Sequence, residues 1–194
     1  MNEYLLANVR FYFAQSVFNS NCHFKSYERL SKRKNNITCV LQILSAMTLV
    51  LLVLQVIGLE NKFQKLLNIL AFLGMLITGA GLIIEIFNKD DKSREIYQHK
   101  IFAEKYKNIR DEYMSLIEEI ITSSKSDLEL REKKDNLQKR YSSIGENAPE
   151  TSGDDYKKAQ FDLGLNGNSG EQFTWADKEI DKFLPEKLRL NNVE

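Results

Sequence analysis

Two stretches of sequence decide the fold: ITCVLQILSAMTLVLLVLQVIGL, residues 37–59, and LLNILAFLGMLITGAGLII, residues 66–84. Neither stretch contains a charged residue. An α-helix needs about 20 apolar residues to cross roughly 30 Å of bilayer hydrocarbon, and each stretch is about that long. The sequence therefore predicts two membrane-spanning helices, joined by the short segment ENKFQK at residues 60–65.

The overall composition hides these two spans. The 194-residue chain has 28% charged residues and a net charge of zero, and its mean hydropathy is −0.37. A net charge of zero gives no general attraction to nucleic acid or acidic lipid. The first apolar run begins too late and is too long for a signal peptide, whose apolar region has about 7–15 residues. We therefore expect both runs to remain in the membrane.

Basic residues are distributed unevenly around the two runs. The segment between the runs has only Lys62 and Lys65. The flanking segments have many more: Lys25, Arg29, Lys32, Arg33 and Lys34 before the first run, and Lys89, Lys92, Arg94, Lys100, Lys105 and Lys107 after the second. Because cytoplasmic loops are enriched in lysine and arginine, both termini and most of the polar chain are expected in the cytoplasm.

The segment before the first span is predicted to be helical. No proline or glycine occurs from Met1 to Gln55, so a helix over residues 2–34 can run directly into the span. Four apolar residues fall on one face of this helix at helical spacing. They are Phe13, Val17, Phe24 and Tyr27. We expect this face to pack against cytoplasmic helices, and a helix lying on the lipid surface is the alternative.

A heptad pattern marks residues 93–123, where apolar residues recur at steps of 4, 3, 4, 3 and 4. The seam consists of Phe102, Tyr106, Ile109, Tyr113, Leu116 and Ile120. Such a seam predicts a helical hairpin or an oligomeric bundle. In an oligomer it is the expected assembly or gating element. The sequence leaves open whether the helix continues from the second span across residues 88–91 or breaks there.

The remainder is predicted to consist of helices and loops. The TSS sequence at residues 122–124 ends the long helix, and Ser126 is positioned to cap a further helix through about residue 142. The later segments are a loop at 145–153, a short helix at 154–164, a flexible turn at 166–170, an amphipathic helix at 175–184 ended by Pro185, and a frayed end.

The predicted fold class is therefore all-α, with two transmembrane helices extended into a cytoplasmic helical bundle in an oligomeric protein. Four regions are expected. These are an N-terminal cytoplasmic helix (residues 1–36), a transmembrane hairpin (37–87), a cytoplasmic sensor and assembly region (88–165), and a C-terminal tail with a short amphipathic helix (166–194).

The second span has a stripe of small and polar residues at steps of 3, 4, 3 and 4. The stripe is Ala71, Gly74, Thr78, Gly81 and Glu85. Small residues at this spacing let helix backbones approach closely. The same stripe would alternatively line a pore, with a ring of Glu85 carboxylates favouring cations at its inner mouth. Two spans cannot enclose a lumen, so a pore requires an oligomer.

Cations interleaved with aromatic residues form a candidate phosphate-binding surface in the cytoplasmic part. The candidates are Lys133, Lys134, Lys139, Arg140, Tyr141, Tyr156, Lys157 and Lys158. A solvated helix face with intervening acids is the alternative.

Sequence signatures of catalysis, cofactors and metals do not occur. The chain has no phosphate loop, no dinucleotide fingerprint, no G-x-S-x-G and no H-E-x-x-H. Cys22, Cys39, His23 and His99 do not have zinc-site spacing, and each histidine is expected to be an ordinary helix residue. We therefore expect a protein that is not an enzyme and that uses no cofactor and no metal.

The layout and several short patterns resemble the SLATT family over roughly residues 5–165. On the long helix, HKIFAEKYKNIRDEYMSLIEE at residues 99–119, the resemblance is carried by Ala103, Tyr106, Arg110, Leu116 and Ile117. In LQKRYSSIGENAPETSGDDYKKAQ, residues 137–160, it is carried by Tyr141, Ala148, Pro149, Asp155, Tyr156 and Ala159. SLATT proteins are two-span effectors found beside nucleotide-signalling proteins in bacterial anti-phage operons.

The resemblance implies an oligomeric pore in the bacterial inner membrane, with a tetramer as the expected assembly. A nucleotide or oligonucleotide made by a partner nucleotidyltransferase would control the pore, and conduction would depolarise the infected cell or arrest its growth. Two other functions remain open at this point. The spans would tether a helical scaffold that binds a protein partner, or the chain would disrupt the bilayer without a defined pore.

Overall fold

The structure, a computed structural model, describes residues 3–57, 61–165 and 175–190, and within them it leaves out the side chains of 55–57, 61, 62, 84, 85 and 87–91. The described chain is all-α, as predicted. Its elements are α1 (Glu3–Ile57), α2 (Asn61–Ile121), α3 (Asp127–Asn147), α4 (Gly153–Asp162), α5 (Asp177–Asp181) and a 3₁₀ turn at Glu186–Leu188. The turn predicted at residues 166–170 lies outside the described residues.

Helices α1 and α2 each join a polar segment to an apolar one without a break. α1 contains neither proline nor glycine, so its backbone supports 55 continuous helical residues. α2 begins at Asn61, inside the segment expected to link the spans, and passes through residues 88–91 as helix. Its glycines at 74, 79 and 81 do not break it, because each glycine costs a helix interior only about 1 kcal/mol relative to alanine.

The chain packs as two compact units. A helical unit contains Met1–Glu28 and Tyr97–Glu194, and a hairpin unit contains Arg29–Ile96. Two helices are long and apolar enough to cross a membrane, and their apolar stretches belong to the hairpin unit. The four regions predicted from the sequence remain a prediction. They divide the chain by hydropathy, whereas the two units divide it by packing.

The core of the helical unit is the contact between the first part of α1 and the last part of α2. All six predicted seam residues are buried, from Phe102 at 7% exposed to Ile109 and Tyr113 at 0%. Ile109 and Tyr113 share one apolar cluster with Leu6 and Phe13 of α1. The seam therefore packs within one chain, as a helical hairpin. Because α1 already covers the seam, it is an internal core and is not exposed for assembly with other copies.

The face of α1 that packs into this core differs from the predicted one. Of the four residues expected on it, Phe13 is buried, whereas Val17, Phe24 and Tyr27 are half-buried. The buried face instead continues through small polar residues, since Ser16 donates to the Tyr12 carbonyl at 2.7 Å and Ser20 to the Ala103 carbonyl at 2.9 Å. A buried hydroxyl that is hydrogen-bonded costs little, so an apolar criterion misses such positions.

Helix α3 is capped at Ser126 as predicted. The Ser126 amide donates to the Glu129 carboxylate at 3.0 Å and the Glu129 amide to the Ser126 hydroxyl at 3.4 Å, which makes a reciprocal capping box. The helix continues to Asn147, past the predicted end at residue 142. The chain becomes extended only at Ala148, the residue before Pro149, where the proline ring disfavours helix.

The C-terminal segment is shorter in helix than predicted but well packed. α5 covers Asp177–Asp181, and Pro185 is followed by the 3₁₀ turn. The last four residues of the end predicted to fray, 191–194, lie outside the described residues. Ile180 and Leu184, at 3% and 2% exposed, belong to the main apolar cluster. Residues 175–190 thus pack onto the helical unit's core through these side chains.

Candidate functional site

The small-residue stripe on α2 lies against α1 inside the hairpin unit. Ala71 is 1% exposed. A methyl group built on Gly74 would lie 2.8 Å from the Thr48 hydroxyl oxygen, and one built on Gly81 would collide with the Leu41 side chain. At Gly79, which lies on another face of the helix, an added methyl would meet nothing within 4 Å. The glycines at 74 and 81 therefore permit a close helix contact, and a larger residue at either position would force the neighbouring Thr48 or Leu41 side chain to move.

Two threonines complete this contact. The Thr48 and Thr78 hydroxyl oxygens are 3.3 Å apart, and Thr48 also donates to the Leu44 carbonyl at 2.9 Å. Four of the five pore-lining candidates thus lie at the contact between the two helices, as the packing alternative predicts. They are Ala71, Gly74, Thr78 and Gly81. The fifth, Glu85, has no described side chain. Pore lining by this stripe remains a prediction that would require the hairpin to open.

The outer faces of both spans are apolar and exposed. Only 6% of the most apolar window of each span is buried within the chain. The exposed residues include Val40, Ile43, Met47 and Val50 on α1 and Phe72, Leu76, Ile77 and Ile83 on α2. An apolar surface of this extent needs lipid or other copies of the hairpin to cover it.

Three candidate cations on α3 are paired with acids. Arg140 makes two contacts with the Glu112 carboxylate, at 2.5 and 2.7 Å. Lys133 binds Glu119 at 2.6 Å and lowers the pKa of that carboxyl, and Lys134 lies 2.6 Å from Asp135. An arriving phosphate would have to compete with these carboxylates, so this part of α3 is closer to the solvated-face alternative.

The other candidates are two aromatic residues, of which Tyr141 is half-buried and Tyr156 is 37% exposed, and three exposed lysines. The Tyr141 hydroxyl accepts a hydrogen bond from the Asn19 amide at 2.8 Å, and burial raises the pKa of Tyr141. Tyr156 lies with its ring edge-on to Phe18 at 4.9 Å. Three exposed lysines have no ion-pair partner among the described side chains. They are Lys139 on α3 and Lys157 and Lys158 on α4.

A buried histidine pair was not anticipated from the sequence. His23 and His99 are 5% and 1% exposed, and their Nδ1 atoms are 3.1 Å apart. The His23 ring stacks on Tyr106 with 5.6 Å between centroids. Burial and then the neighbouring His99 lower the pKa of His23 to about 4, so it is neutral at physiological pH. His99 lies three residues before the heptad seam, which was the available signal.

Two buried charged residues have partners that the sequence did not predict. Arg10 is 1% exposed and donates to the Asp181 carboxylate at 2.8 Å, which ties the C-terminal segment to α1. Asp155 is fully buried and accepts hydrogen bonds from the Ser26 and Ser152 hydroxyls, each at 2.7 Å. Burial, with a smaller contribution from Asp155, raises the pKa of the Cys22 thiol to about 12, so that thiol is protonated at physiological pH.

Comparison with known proteins identifies one family. Residues 5–179 match the family model described as SMODS and SLOG-associating 2TM effector domain family 4 (SLATT_4). The match extends beyond the 5–165 covered by the sequence resemblance and includes the start of α5. Searches of curated proteins and of solved structures found no match.

Proposed function

Because the chain belongs to the SLATT family of two-transmembrane-helix effectors, we propose that it is an ion-conducting membrane effector. The family is linked to nucleotide-signalling anti-phage systems. In this proposal several copies form a pore in the bacterial inner membrane, and a nucleotide or oligonucleotide from a partner nucleotidyltransferase gates it. Conduction depolarises the infected cell or arrests its growth. The chain itself catalyses no reaction.

The observation that carries the proposal is the uncovered apolar surface of the hairpin unit. One hairpin cannot enclose a lumen, and its two helices are already in close contact at Gly74 and Gly81. Self-association through the exposed outer faces would give several hairpins around a common axis. In lipid, van der Waals packing between these outer faces then replaces the hydrophobic effect as the source of helix association.

The helical unit is the proposed sensor. Lys157 and Lys158, with Tyr156 beside them on α4, offer charge and an aromatic ring without a competing ion pair among the described residues. Asp155 on the same helix is bonded to Ser26 of α1. Binding at α4 would therefore act on α1, the helix that continues into the first span.

The test is release of ions and dyes from liposomes containing the purified full chain. A defined pore should release K⁺ and retain a dye of about 1 kDa. Equal release of both would indicate bilayer disruption, and release of neither would indicate a tether.

Glu85→Ala should change the cation-to-anion permeability ratio while the assembled mass stays the same, because the carboxylate ring would be lost. An unchanged ratio would count against the ring.

A tethered scaffold is the second candidate, and one observation favours it. The stripe of Ala71, Gly74, Thr78 and Gly81 is used for packing inside the hairpin and presents no polar lumen in this conformation. In that case the spans only anchor the helical unit, and a protein partner would bind the latter. Absence of K⁺ release under all conditions would support this function.

A further inference from the structure

A cleft of about 270 Å³ lies in the hairpin unit beside the charged ends of the two spans. Its basic lining comes from both helices: Arg29, Arg33 and Lys34 from α1, and Lys92 from α2. Glu95 is the carboxylate that lines it, so the lining side chains carry a net charge of +3. Such a concentration of positive charge in a chain with zero net charge indicates an anionic ligand.

Local contacts hold the cleft in shape and leave cations available. Lys34 Nζ donates to the Ser93 hydroxyl at 2.9 Å, which joins α1 to α2 across the cleft. Arg33 and Lys92 are exposed, and the side chains that the structure describes include no ion-pair partner for either. Two cations facing one cleft can donate several charge-assisted hydrogen bonds to a phosphate.

The apolar part of the lining continues into the membrane surface. Leu30, Ile37 and Ile96 line the cleft together with the basic residues. Ile37 is 44% exposed and begins the first apolar run, and Val40, one turn further, is 55% exposed. Arg33 precedes Ile37 by one helical turn, about 6 Å along the axis. A ligand held here would have its anionic group on the cations and an apolar part along the span.

We propose that this cleft binds the phosphate of an anionic phospholipid headgroup, with the acyl chains lying along the exposed surface that begins at Ile37 and Val40. Basic pockets beside transmembrane helices are known to suit such headgroups. A soluble phosphate has the same charge but nothing to place on the apolar surface. The site goes beyond the proposed function, because lipid binding requires neither conduction nor a nucleotide.

The experiment is native mass spectrometry of the full chain in detergent with equal amounts of phosphatidylglycerol and phosphatidylcholine. The wild type should retain phosphatidylglycerol preferentially. Arg33→Gln combined with Lys92→Gln should lower the ratio of phosphatidylglycerol to phosphatidylcholine adducts by roughly tenfold or more, since each cation near an anionic surface contributes about fivefold in affinity. The matched control, Lys178→Gln with Lys187→Gln, removes the same charge from exposed positions and should leave the ratio unchanged.

Four results would overturn the proposal. The ratio stays the same in the Arg33 and Lys92 double variant, or it falls equally in the control, which would mean that general surface charge is responsible. Displacement of phosphatidylglycerol by millimolar inorganic phosphate or by a dinucleotide would identify a soluble anion as the occupant. If the double variant fails to fold, Glu95→Gln decides: loss of the carboxylate should raise the ratio, and an equal or lower ratio contradicts the site.

Discussion

Helices α1 and α2 contact each other in both units, but with side chains of very different size. In the helical unit the contact is made by large residues such as Phe13, Ile109 and Tyr113. In the hairpin unit it is made by Ala71, Gly74 and two threonines. Both contacts use steps of three and four residues, so the period alone does not distinguish them.

The surrounding solvent explains the difference. In water, burying a large apolar side chain is favourable by about 25 cal/mol per Å² of apolar surface. In lipid, the same burial gains little because the acyl chains are equally apolar, and close backbone approach supplies the attraction. Side-chain size at the contact positions of a 3–4 pattern therefore indicates whether a helix pair assembles in water or in lipid.

The largest expected effect is in the helical unit, with Phe13→Ala. Phe13 is 1% exposed, and its loss leaves a cavity, so the free energy of unfolding should fall by about 3–5 kcal/mol. The matched control is Phe11→Ala, because Phe11 is 42% exposed. Urea unfolding followed by fluorescence of Trp175, the single tryptophan, measures both. Equal effects at the two positions would contradict the burial of α1 against α2.

Removing the charge of Asp181 should have the next largest effect. Asp181→Asn removes the closer and more buried of the two carboxylates beside the buried Arg10 guanidinium, at an expected cost of about 3 kcal/mol. Asp177, also near Arg10, is 67% exposed, so Asp177→Asn should cost under about 1 kcal/mol. Amide exchange of residues 177–190 should rise sharply in the first variant only. Similar exchange in both variants would argue against a specific attachment by Asp181.

The buried histidine pair makes the stability of the helical unit sensitive to pH. Since the pKa of His23 is about 4 when folded and 6.5 ordinarily, the unfolded chain binds more protons between these values. Stability should therefore fall as the pH drops from about 6.5 to 4, by at most about 3 kcal/mol from this group. His23→Gln should remove most of that slope in urea unfolding measured at several pH values. Parallel pH curves for the two proteins would exclude the pair as the cause.

The smallest expected effect is in the hairpin unit, with Gly74→Val. The added side chain collides with Thr48 and should weaken the contact by about 1–3 kcal/mol, whereas Gly79→Val adds volume in open space. A Thr48→Cys and Thr78→Cys pair, in a chain lacking Cys22 and Cys39, reports the contact through disulfide formation in liposomes. Gly74→Val should lower the cross-linking yield and Gly79→Val should not. Equal yields would show that the stripe does not hold the hairpin together.

Elements with a strong local signal were predictable from the sequence. The two spans follow from length and hydropathy, and the seam from Phe102 to Ile120 follows from its heptad spacing. Ser126 was found because a capping residue bonds within its own turn. The end of α3 at Asn147 was missed, because five further residues of weak preference follow the helix once it has formed.

Contacts that depend on the pairing of distant segments were not predictable. His23 and His99 are 76 residues apart, and Arg10 and Asp181 are 171 apart. Each pair is set by the register of packed helices, which one sequence does not reveal. The same holds for the pairing of Arg140 on α3 with Glu112 on α2. Charge in a sequence shows what a side chain can bind, and the fold decides what it does bind.

The most direct test of the proposed function is ligand dependence of K⁺ flux through liposomes that contain the full chain. Flux is measured alone, with cyclic nucleotides, and with short oligonucleotides. A gated effector pore predicts that at least one of these ligand classes changes the K⁺ flux while dye stays inside. Liposomes that hold K⁺ equally well with and without protein, under every ligand condition, would contradict the pore and leave the tethered scaffold.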